Sequence, residues 1–221
     1  MKQAVVFDLD GTLLNTLDDL CDSMNFALAA LDFPARTLEE VRRFVGNGIR
    51  KLVERAVPSG TDAQKTQACY EVFCEHYKHN MANKTAEYSG VSDMLCALYD
   101  AGYQLAIVTN KADFAAQALC GSMFGRYVKT VVGSVEGRPN KPAPDGVFYA
   151  LDKMGVRPED AVFVGDSEVD IATAHNAGVD AIGVLWGFRD ERQLREAGVE
   201  RLAHSPRELK KMLLDLKNCG M

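Results

Sequence analysis

The feature that most constrains the fold is an alternation of short apolar runs with amphipathic segments, which extends from Glu87 to the end of the chain. The apolar runs predict strands at 104–108, 130–132, 161–164 and 181–185, and Ala4-Val5-Val6-Phe7 near the N-terminus is another. Strands without a polar face must be covered on both sides, so the pattern predicts an α/β fold with a parallel sheet between helices. In such sheets a ligand binds beyond the carboxyl ends of the strands.

The segment between about residues 15 and 83 is different, because it carries helical periodicity and almost no strand signal. Capping signatures predict helix starts at Thr16-Leu17-Asp18-Asp19, at Thr37-Leu38-Glu39-Glu40 and at Thr61. We predict an all-helical domain at 15–87, inserted into a core formed by 1–14 and 88–221. Because this block follows the first strand directly, we expect it to cover the ligand site as a cap. Connections near 14–16 and 83–88 would then act as hinges.

Composition restricts the class of partner. The chain has 221 residues, of which 47% are hydrophobic and 25% charged, with a formal net charge of −6. This balance is that of an ordinary globular protein. The negative charge disfavours nucleic acid as the main partner, and an anionic substrate would have to be attracted by a local positive site.

Cysteine usage and hydropathy predict a cytoplasmic protein without a membrane segment. The six cysteines form no C-x-x-C pair and mostly occupy apolar positions of predicted helices, at 21, 69, 74, 96, 120 and 219. Buried thiols in a reducing compartment are therefore expected. Asp8 and Asp10 interrupt the first apolar run, so no secretory signal is expected, and no segment reaches membrane-spanning length.

Two carboxylates, Asp8 and Asp10, follow the first predicted strand directly. In an extended backbone this spacing directs both side chains the same way. Two like charges about 4 Å apart repel by roughly 4 kcal/mol at an effective dielectric constant near 20. A cation between them would relieve this repulsion, and Mg²⁺ suits a set of oxygen ligands. The alternative is a strand end whose acids simply turn into solvent.

Polar groups also follow the other predicted strands. Thr109 and Asn110 end the second, where a hydroxyl and backbone N–H groups suit an anionic ligand, although either residue could instead cap the next helix. Asp166 ends a later strand. Lys141 lies between prolines that restrict its backbone, so it either points inward or is a solvated loop lysine. Asp170 completes a capping signature with Ser167 and is also close to Asp166 in sequence.

Four of these segments together resemble the motifs of the haloacid dehalogenase-like phosphatases. In chain order they are Asp8-Leu9-Asp10-Gly11-Thr12-Leu13, Val108-Thr109-Asn110-Lys111, Lys141-Pro142-Ala143-Pro144-Asp145 and Gly165-Asp166-Ser167-Glu168-Val169-Asp170. The resemblance covers nearly the whole chain and implies a three-layer Rossmann-like core with an inserted helical cap. Because dehalogenase members lack the second acid, Asp10 favours phosphoryl transfer.

The resemblance also implies residue roles. Asp8 would be the nucleophile that forms an aspartyl-phosphate, and Asp10 would protonate the leaving alcohol and then activate water. Mg²⁺ would be bound by Asp8, by the backbone carbonyl of Asp10 and by Asp166, with Asp170 as a supporting acid. Lys141 would offset charge on the phosphoryl group, together with phosphate-binding Thr109 and Asn110.

Substrate choice is expected to lie in the cap, where the segment around Arg43, Gly46, Asn47 and Gly48 is similar to that of phosphoglycolate phosphatases. Nearby cations could meet a second anionic group or could form a solvated helix face. We therefore expect a small phosphorylated metabolite, with phosphoglycolate first. A phosphomutase, a pyrophosphatase or a nucleotidase of the same superfamily remains an alternative, as does a non-catalytic phosphate-sensing protein. The protein would act as a monomer or a homodimer.

Overall fold

A computed structural model describes residues 2–218, and the chain divides into two compact units. One unit is Asn15–Ala86, and the other is formed by the described residues before and after it. The strands are β1 Ala4–Phe7, β2 Leu14–Asn15, β3 Ala86–Glu87, β4 Gln104–Ala112, β5 Thr130–Ser134, β6 Ala161–Gly165, β7 Asp180–Val184 and β8 Arg201–Ala203. The helices are α1 Leu17–Ala29, α2 Leu38–Phe44, α3 Ile49–Ala56, α4 Ala63–Asn80, α5 Val91–Asp100, α6 Asp113–Phe124, α7 Asp145–Met154, α8 Glu168–Ala177, α9 Glu191–Glu196 and α10 Pro206–Asn218.

The larger unit is built on a six-stranded sheet of order β5-β4-β1-β6-β7-β8, in which every neighbouring pair is parallel. The predicted α/β class is thus confirmed. Strand β1 lies in the middle of the sheet, with Phe7 paired to Ile107 of β4 on one side and to Val164 of β6 on the other. The carboxyl ends of these three strands therefore reach the same edge, which is where the polar motif residues follow.

Helices cover both faces of this sheet, as strands without a polar face require. Val5 and Phe7 of β1 point to one face, where they pack with buried side chains of α5, α6 and α10. Ala4 and Val6 point to the other face and pack with side chains of α7 and α8. This alternation follows from the two-residue period of a strand. The result is a three-layer arrangement with a hydrophobic core on each side of the sheet.

Strands β4 and β8 of the sheet differ from the prediction. Strand β4 continues beyond the apolar run through Thr109, Asn110 and Lys111, and its pairing with β5 shifts register between Val108 and Ala112. Strand β8 was not predicted, because three residues with one exposed arginine carry no periodic signal. It forms through parallel pairing with β7, in which Val184 lies opposite Ala203.

The smaller unit contains α1 to α4, in which α1 packs along α4 and consecutive helices contact one another. The predicted capping box of α2 is present, with Glu40 N–H donating to Thr37 Oγ1. The predicted start of α4 was wrong by one residue, because the carboxylate of Asp62 rather than Thr61 accepts the hydrogen bond from Lys65 N–H.

The capping box predicted at the start of α1 was also wrong. Asp19 instead accepts hydrogen bonds from the backbone N–H groups of Lys84 and Thr85, at 3.0 and 2.8 Å. Thr16 makes no side-chain capping bond. This buried carboxylate therefore ties the end of the smaller unit to its first helix, and the local signal was overridden by a contact 66 residues away.

The cysteines at 21, 69, 74, 96 and 120 are free thiols, and Cys219 lies outside the described residues. Among residues 2–218, no helix combines the length and the apolar character needed to cross a lipid bilayer.

Candidate active site

A cluster of buried acids lies at the carboxyl edge of the sheet. Asp8 directly follows β1 and donates its backbone N–H to Val164 of β6, while Asp166 directly follows β6. One carboxylate oxygen each of Asp8, Asp166 and Asp170 lies within 4.8 Å of the other two, and all three residues are buried. The alternative of acids turned into solvent therefore does not hold for Asp8.

Lys141 is the cation at the centre of this cluster. Its Nζ lies 2.7 Å from Asp8 Oδ1 and 2.7 Å from Asp170 Oδ1, and its side chain is 4% exposed. Burial by itself lowers the pKa of Lys141, but Asp170 and Asp8 together raise it more, so that the pKa is above its ordinary value. Lys141 is therefore a fixed ammonium group, and the alternative of a solvated loop lysine is excluded.

Asn110 fixes the backbone of Lys141. The Asn110 side chain accepts a hydrogen bond from Lys141 N–H at 2.8 Å and donates one to the Lys141 carbonyl at 3.0 Å. Its amide thus joins β4 to the lysine segment, 31 residues along the chain. The expectation that the Asn110 side chain contacts phosphate remains a prediction, whereas its contact with Lys141 is what the structure shows.

Asp170 combines the two roles that the sequence left open. One oxygen accepts hydrogen bonds from the backbone N–H and the hydroxyl of Ser167, at 3.0 and 2.6 Å, which completes the capping box of α8. The other oxygen accepts the hydrogen bond from Lys141. Because both oxygens are engaged, Asp170 acts on the cluster mainly by holding Lys141.

Asp166 is held by the segment that follows β7. Its Oδ2 accepts a hydrogen bond from Phe188 N–H at 2.7 Å, and its Oδ1 accepts one from Thr12 Oγ1 at 3.1 Å. Trp186 donates its indole N–H to the Thr12 carbonyl, and a Cβ at Gly187 would overlap both Asp166 and the Gly11 carbonyl. Close packing of backbone against the acid therefore requires glycine at position 187.

The electrostatics of the cluster favour the binding of a further cation. Burial, followed by the charge of Asp170, raises the pKa of Asp8 to about 7, although Lys141 opposes the shift. Burial, Asp170 and Asp8 likewise raise the pKa of Asp166 well above its ordinary value, against the hydrogen bonds from Phe188 and Thr12. One ammonium group does not balance three carboxylates. A divalent cation with a preference for oxygen ligands fits this donor set.

Thr109 lies buried in β4, and its hydroxyl accepts a hydrogen bond from Lys111 N–H at 3.2 Å. Helix α6 begins at Asp113 with Ala112 at its N-cap, so neither Thr109 nor Asn110 caps it. The capping alternative for these two residues is therefore excluded. Thr109 Oγ1 accepts the hydrogen bond from Lys111 N–H, and its hydroxyl hydrogen can at the same time be donated to a ligand oxygen.

Asp10 and Lys111 form an ion pair that the sequence analysis did not predict. Lys111 Nζ donates a hydrogen bond to Asp10 Oδ1 at 2.9 Å, and the two side chains are 2% and 15% exposed. Lys111 is the last residue of the motif Val108-Thr109-Asn110-Lys111. No role was predicted for its side chain, because its partner Asp10 lies 101 residues away in sequence.

In the helical unit, three of the predicted specificity residues, Gly46, Asn47 and Gly48, lie in the turn between α2 and α3, and the fourth, Arg43, lies near the end of α2. Gly46 and Gly48 adopt φ of 129° and 84°, and Arg55 braces the turn through hydrogen bonds to the Phe44 carbonyl and Asn47 Oδ1, both at 2.7 Å. Arg43 is exposed and donates to the Glu39 carbonyl. Arg55, which the sequence analysis did not single out, therefore sets the shape of this turn.

Known proteins are similar to this chain in sequence and in fold. The family model of the haloacid dehalogenase-like hydrolases matches residues 5–184. Phosphoglycolate phosphatase 1 of Pseudomonas aeruginosa is 34% identical over 215 residues, which are 95% of this chain and 79% of that protein. The phosphoglycolate phosphatase of Mesorhizobium japonicum is 36% identical over 199 residues, or 88% and 87% of the two chains.

A solved structure of a similar protein has the same fold. A predicted phosphoglycolate phosphatase from Haemophilus somnus has a TM-score of 0.89 at 29% identity, covering 96% of this chain and 98% of its own. The resemblance inferred from the four motifs is thus confirmed by sequence and by fold. The chain belongs to the haloacid dehalogenase-like hydrolases.

Proposed function

We propose that the protein is a Mg²⁺-dependent phosphatase that hydrolyses a small phosphomonoester through an aspartyl-phosphate on Asp8, with phosphoglycolate as the substrate. The observation that carries this proposal is the buried group of Asp8, Asp166 and Lys141 at one edge of the sheet, beside Asp10. It combines a carboxylate nucleophile, a second acid and a fixed cation, which are the groups that phosphoryl transfer to a protein carboxylate requires.

In the first step, an oxygen of Asp8 forms a bond to phosphorus while the bond from phosphorus to the substrate oxygen breaks. Asp10 donates a proton to the departing alkoxide, so that an alcohol leaves. In the second step, Asp10 takes a proton from water, whose oxygen attacks the phosphorus and releases inorganic phosphate and the Asp8 carboxylate. Lys141 and the Thr109 hydroxyl hold the phosphoryl oxygens.

Asp8, Asp166 and the backbone carbonyl of Asp10 would hold the metal ion. When bound, Mg²⁺ would neutralise the crowded carboxylates and the incoming phosphate together. The raised pKa of Asp8 supports this assignment, since a further cation would favour the ionised, nucleophilic carboxylate at neutral pH.

The choice of phosphoglycolate rests on the named relatives and on the turn between α2 and α3.

We also propose that the helical unit serves as the cap that excludes water and contacts the part of the substrate beyond the phosphate. The chain passes between the two units at only two places, next to Leu14 and next to Ala86, among the residues that the structure describes. Two such connections are compatible with hinge motion.

The test is a panel of alkyl phosphates incubated with purified protein and Mg²⁺: 2-phosphoglycolate, glycerol 3-phosphate, glucose 1-phosphate and AMP. Released inorganic phosphate and any isomeric sugar phosphate are both measured. We expect inorganic phosphate from 2-phosphoglycolate at the highest kcat/KM, loss of turnover in Asp8→Asn, and normal turnover in the exposed control Asp152→Asn.

Other results would contradict specific parts of the proposal. Formation of glucose 6-phosphate without inorganic phosphate would indicate a mutase, and preference for AMP would indicate a nucleotidase. Absence of turnover with every member of the panel would refute the phosphatase proposal and favour a phosphate-sensing role.

A further inference from the structure

Lys111 is a buried cation that the proposed mechanism does not use. It lies near the end of β4 with its side chain 2% exposed, and its Nζ is 2.9 Å from Asp10 Oδ1. A buried ammonium group requires a charged or hydrogen-bonded partner, and the Asp10 carboxylate supplies one. We propose that Lys111 is a positioning residue that fixes the rotation of Asp10 for proton transfer to the leaving alcohol. This inference rests on the proposed function and extends it.

The backbone keeps Lys111 in a defined position. Its N–H donates to Thr109 Oγ1, and the β4–β5 pairing shifts register in the segment between Val108 and Ala112 that contains it. The irregular segment delivers Thr109 and Lys111 to the same edge of the sheet. Burial raises the pKa of Cys120 on α6, and the charges of Asp10 (raising) and Lys111 (lowering) also act on this thiol.

Two separate lysines therefore serve the two acids of the first motif. Lys141 contacts Asp8 and Asp170, whereas Lys111 contacts Asp10. Lys111 contacts Oδ1 of Asp10, which leaves Oδ2 for proton exchange with the leaving alcohol. A carboxylate that is held at one oxygen cannot rotate freely, and its other oxygen keeps a fixed direction.

The test uses leaving groups that need a proton to different extents. An alkyl phosphate releases a strongly basic alkoxide and depends on general-acid catalysis, which contributes about 10²–10⁴-fold. p-Nitrophenyl phosphate releases a stable phenolate and does not. In a two-step mechanism, kcat/KM reports the steps up to alcohol release and is independent of the later attack by water. The ratio of the two kcat/KM values therefore isolates the action of Asp10 as an acid.

We expect Lys111→Met to lower kcat/KM for the best alkyl phosphate of the panel by about 10–100-fold, since part of the general-acid contribution is lost. For p-nitrophenyl phosphate the decrease is expected to stay within about threefold. Lys111→Arg should recover much of the alkyl activity because it retains the positive charge. The exposed Lys211→Met on α10 is the matched control and should change neither value.

A double-mutant cycle shows whether Lys111 acts through Asp10. If it does, adding Lys111→Met to Asp10→Asn causes no further loss with the alkyl phosphate. This double variant removes the charges of Lys111 and Asp10 together, so neither group is left without its partner. It therefore still tests the inference if Lys111→Met alone does not fold.

Three results overturn the inference: equal losses with both substrates, no loss with either, or an additional loss in the Asp10→Asn background. Failure of the proposed function is a different outcome, in which the wild-type protein hydrolyses neither class of substrate.

Discussion

The crowding of acids around Asp8 predicts that replacing this nucleophile with asparagine stabilises the metal-free protein at neutral and alkaline pH. Asp8→Asn keeps the size of the side chain and removes one negative charge from a buried cluster that contains two other carboxylates. It also gives up the ion pair with Lys141, which retains Asp170 as a partner. The gain should therefore exceed the loss once Asp8 is ionised.

The magnitude follows from the pKa of Asp8, which folding raises from 3.8 to about 7. Because the folded pKa is the higher one, the folded state binds more protons, and stability is lost as the pH rises from the unfolded toward the folded pKa. The full loss is about 4 kcal/mol, of which about 2.5 kcal/mol falls between pH 5 and pH 8. Asparagine does not titrate, so Asp8→Asn should escape this loss.

The assay is urea unfolding in EDTA at pH 5 and at pH 8, followed by the fluorescence of Trp186, the only tryptophan of the chain. Its indole donates to the Thr12 carbonyl beside Asp166, so the signal reports on the unit that contains the cluster. We expect the stability difference between Asp8→Asn and wild type to grow by about 2.5 kcal/mol between the two pH values. The exposed Asp152→Asn on α7 serves as the control and should follow the wild type.

Mg²⁺ provides a second readout of the same charge imbalance. A ligand present at 100 times its Kd stabilises the folded state by about 2.7 kcal/mol. Wild type should gain this stability at pH 8, whereas Asp8→Asn should gain much less because it has lost a metal ligand. The reasoning is refuted if Asp8→Asn is less stable than wild type at pH 8 in EDTA, or if both proteins show the same dependence on pH.

Two further predictions concern residues that hold the cluster in place. Asn110→Ala should lower the free energy of unfolding by about 1–3 kcal/mol, because it leaves the buried N–H and carbonyl of Lys141 without the amide, and kcat should fall with it; an unchanged kcat in the panel assay would contradict this. Gly187→Ala should weaken Mg²⁺ binding about 10–100-fold, measured by Trp186 fluorescence, because its Cβ would displace Asp166. Gly121→Ala on α6 meets open space and should bind Mg²⁺ as wild type does.

The elements that the sequence predicted well are those whose burial is complete. Strands β1 and β6 and residues 105–108 of β4 carry apolar side chains on both faces, and a parallel sheet is the structure that can bury them. Strand β8 could not be predicted, because Arg201-Leu202-Ala203 becomes a strand only by pairing with β7 at the edge of the sheet. Short edge strands depend on a neighbour that lies far away in sequence.

Polar residues were harder to interpret than apolar ones, because a local signal and a distant partner can compete for the same side chain. Asp19 has the position of a capping residue, yet Lys84 and Thr85 offer it backbone N–H groups in a buried setting. Asp170 satisfies both demands, since its two oxygens serve the start of α8 and Lys141. A carboxylate accepts several hydrogen bonds, so sequence spacing alone does not decide which ones form.

The repulsion between Asp8 and Asp10, from which a metal ion was first inferred, is relieved in the fold by two lysines. Lys141 reaches Asp8 from a loop, and Lys111 reaches Asp10 from the neighbouring strand. The need for a further cation arises instead from Asp166 and Asp170, which bring the number of carboxylates near Asp8 above what Lys141 balances. A metal ion is therefore favoured by the convergence of β1 and β6, which the sequence of the first motif does not contain.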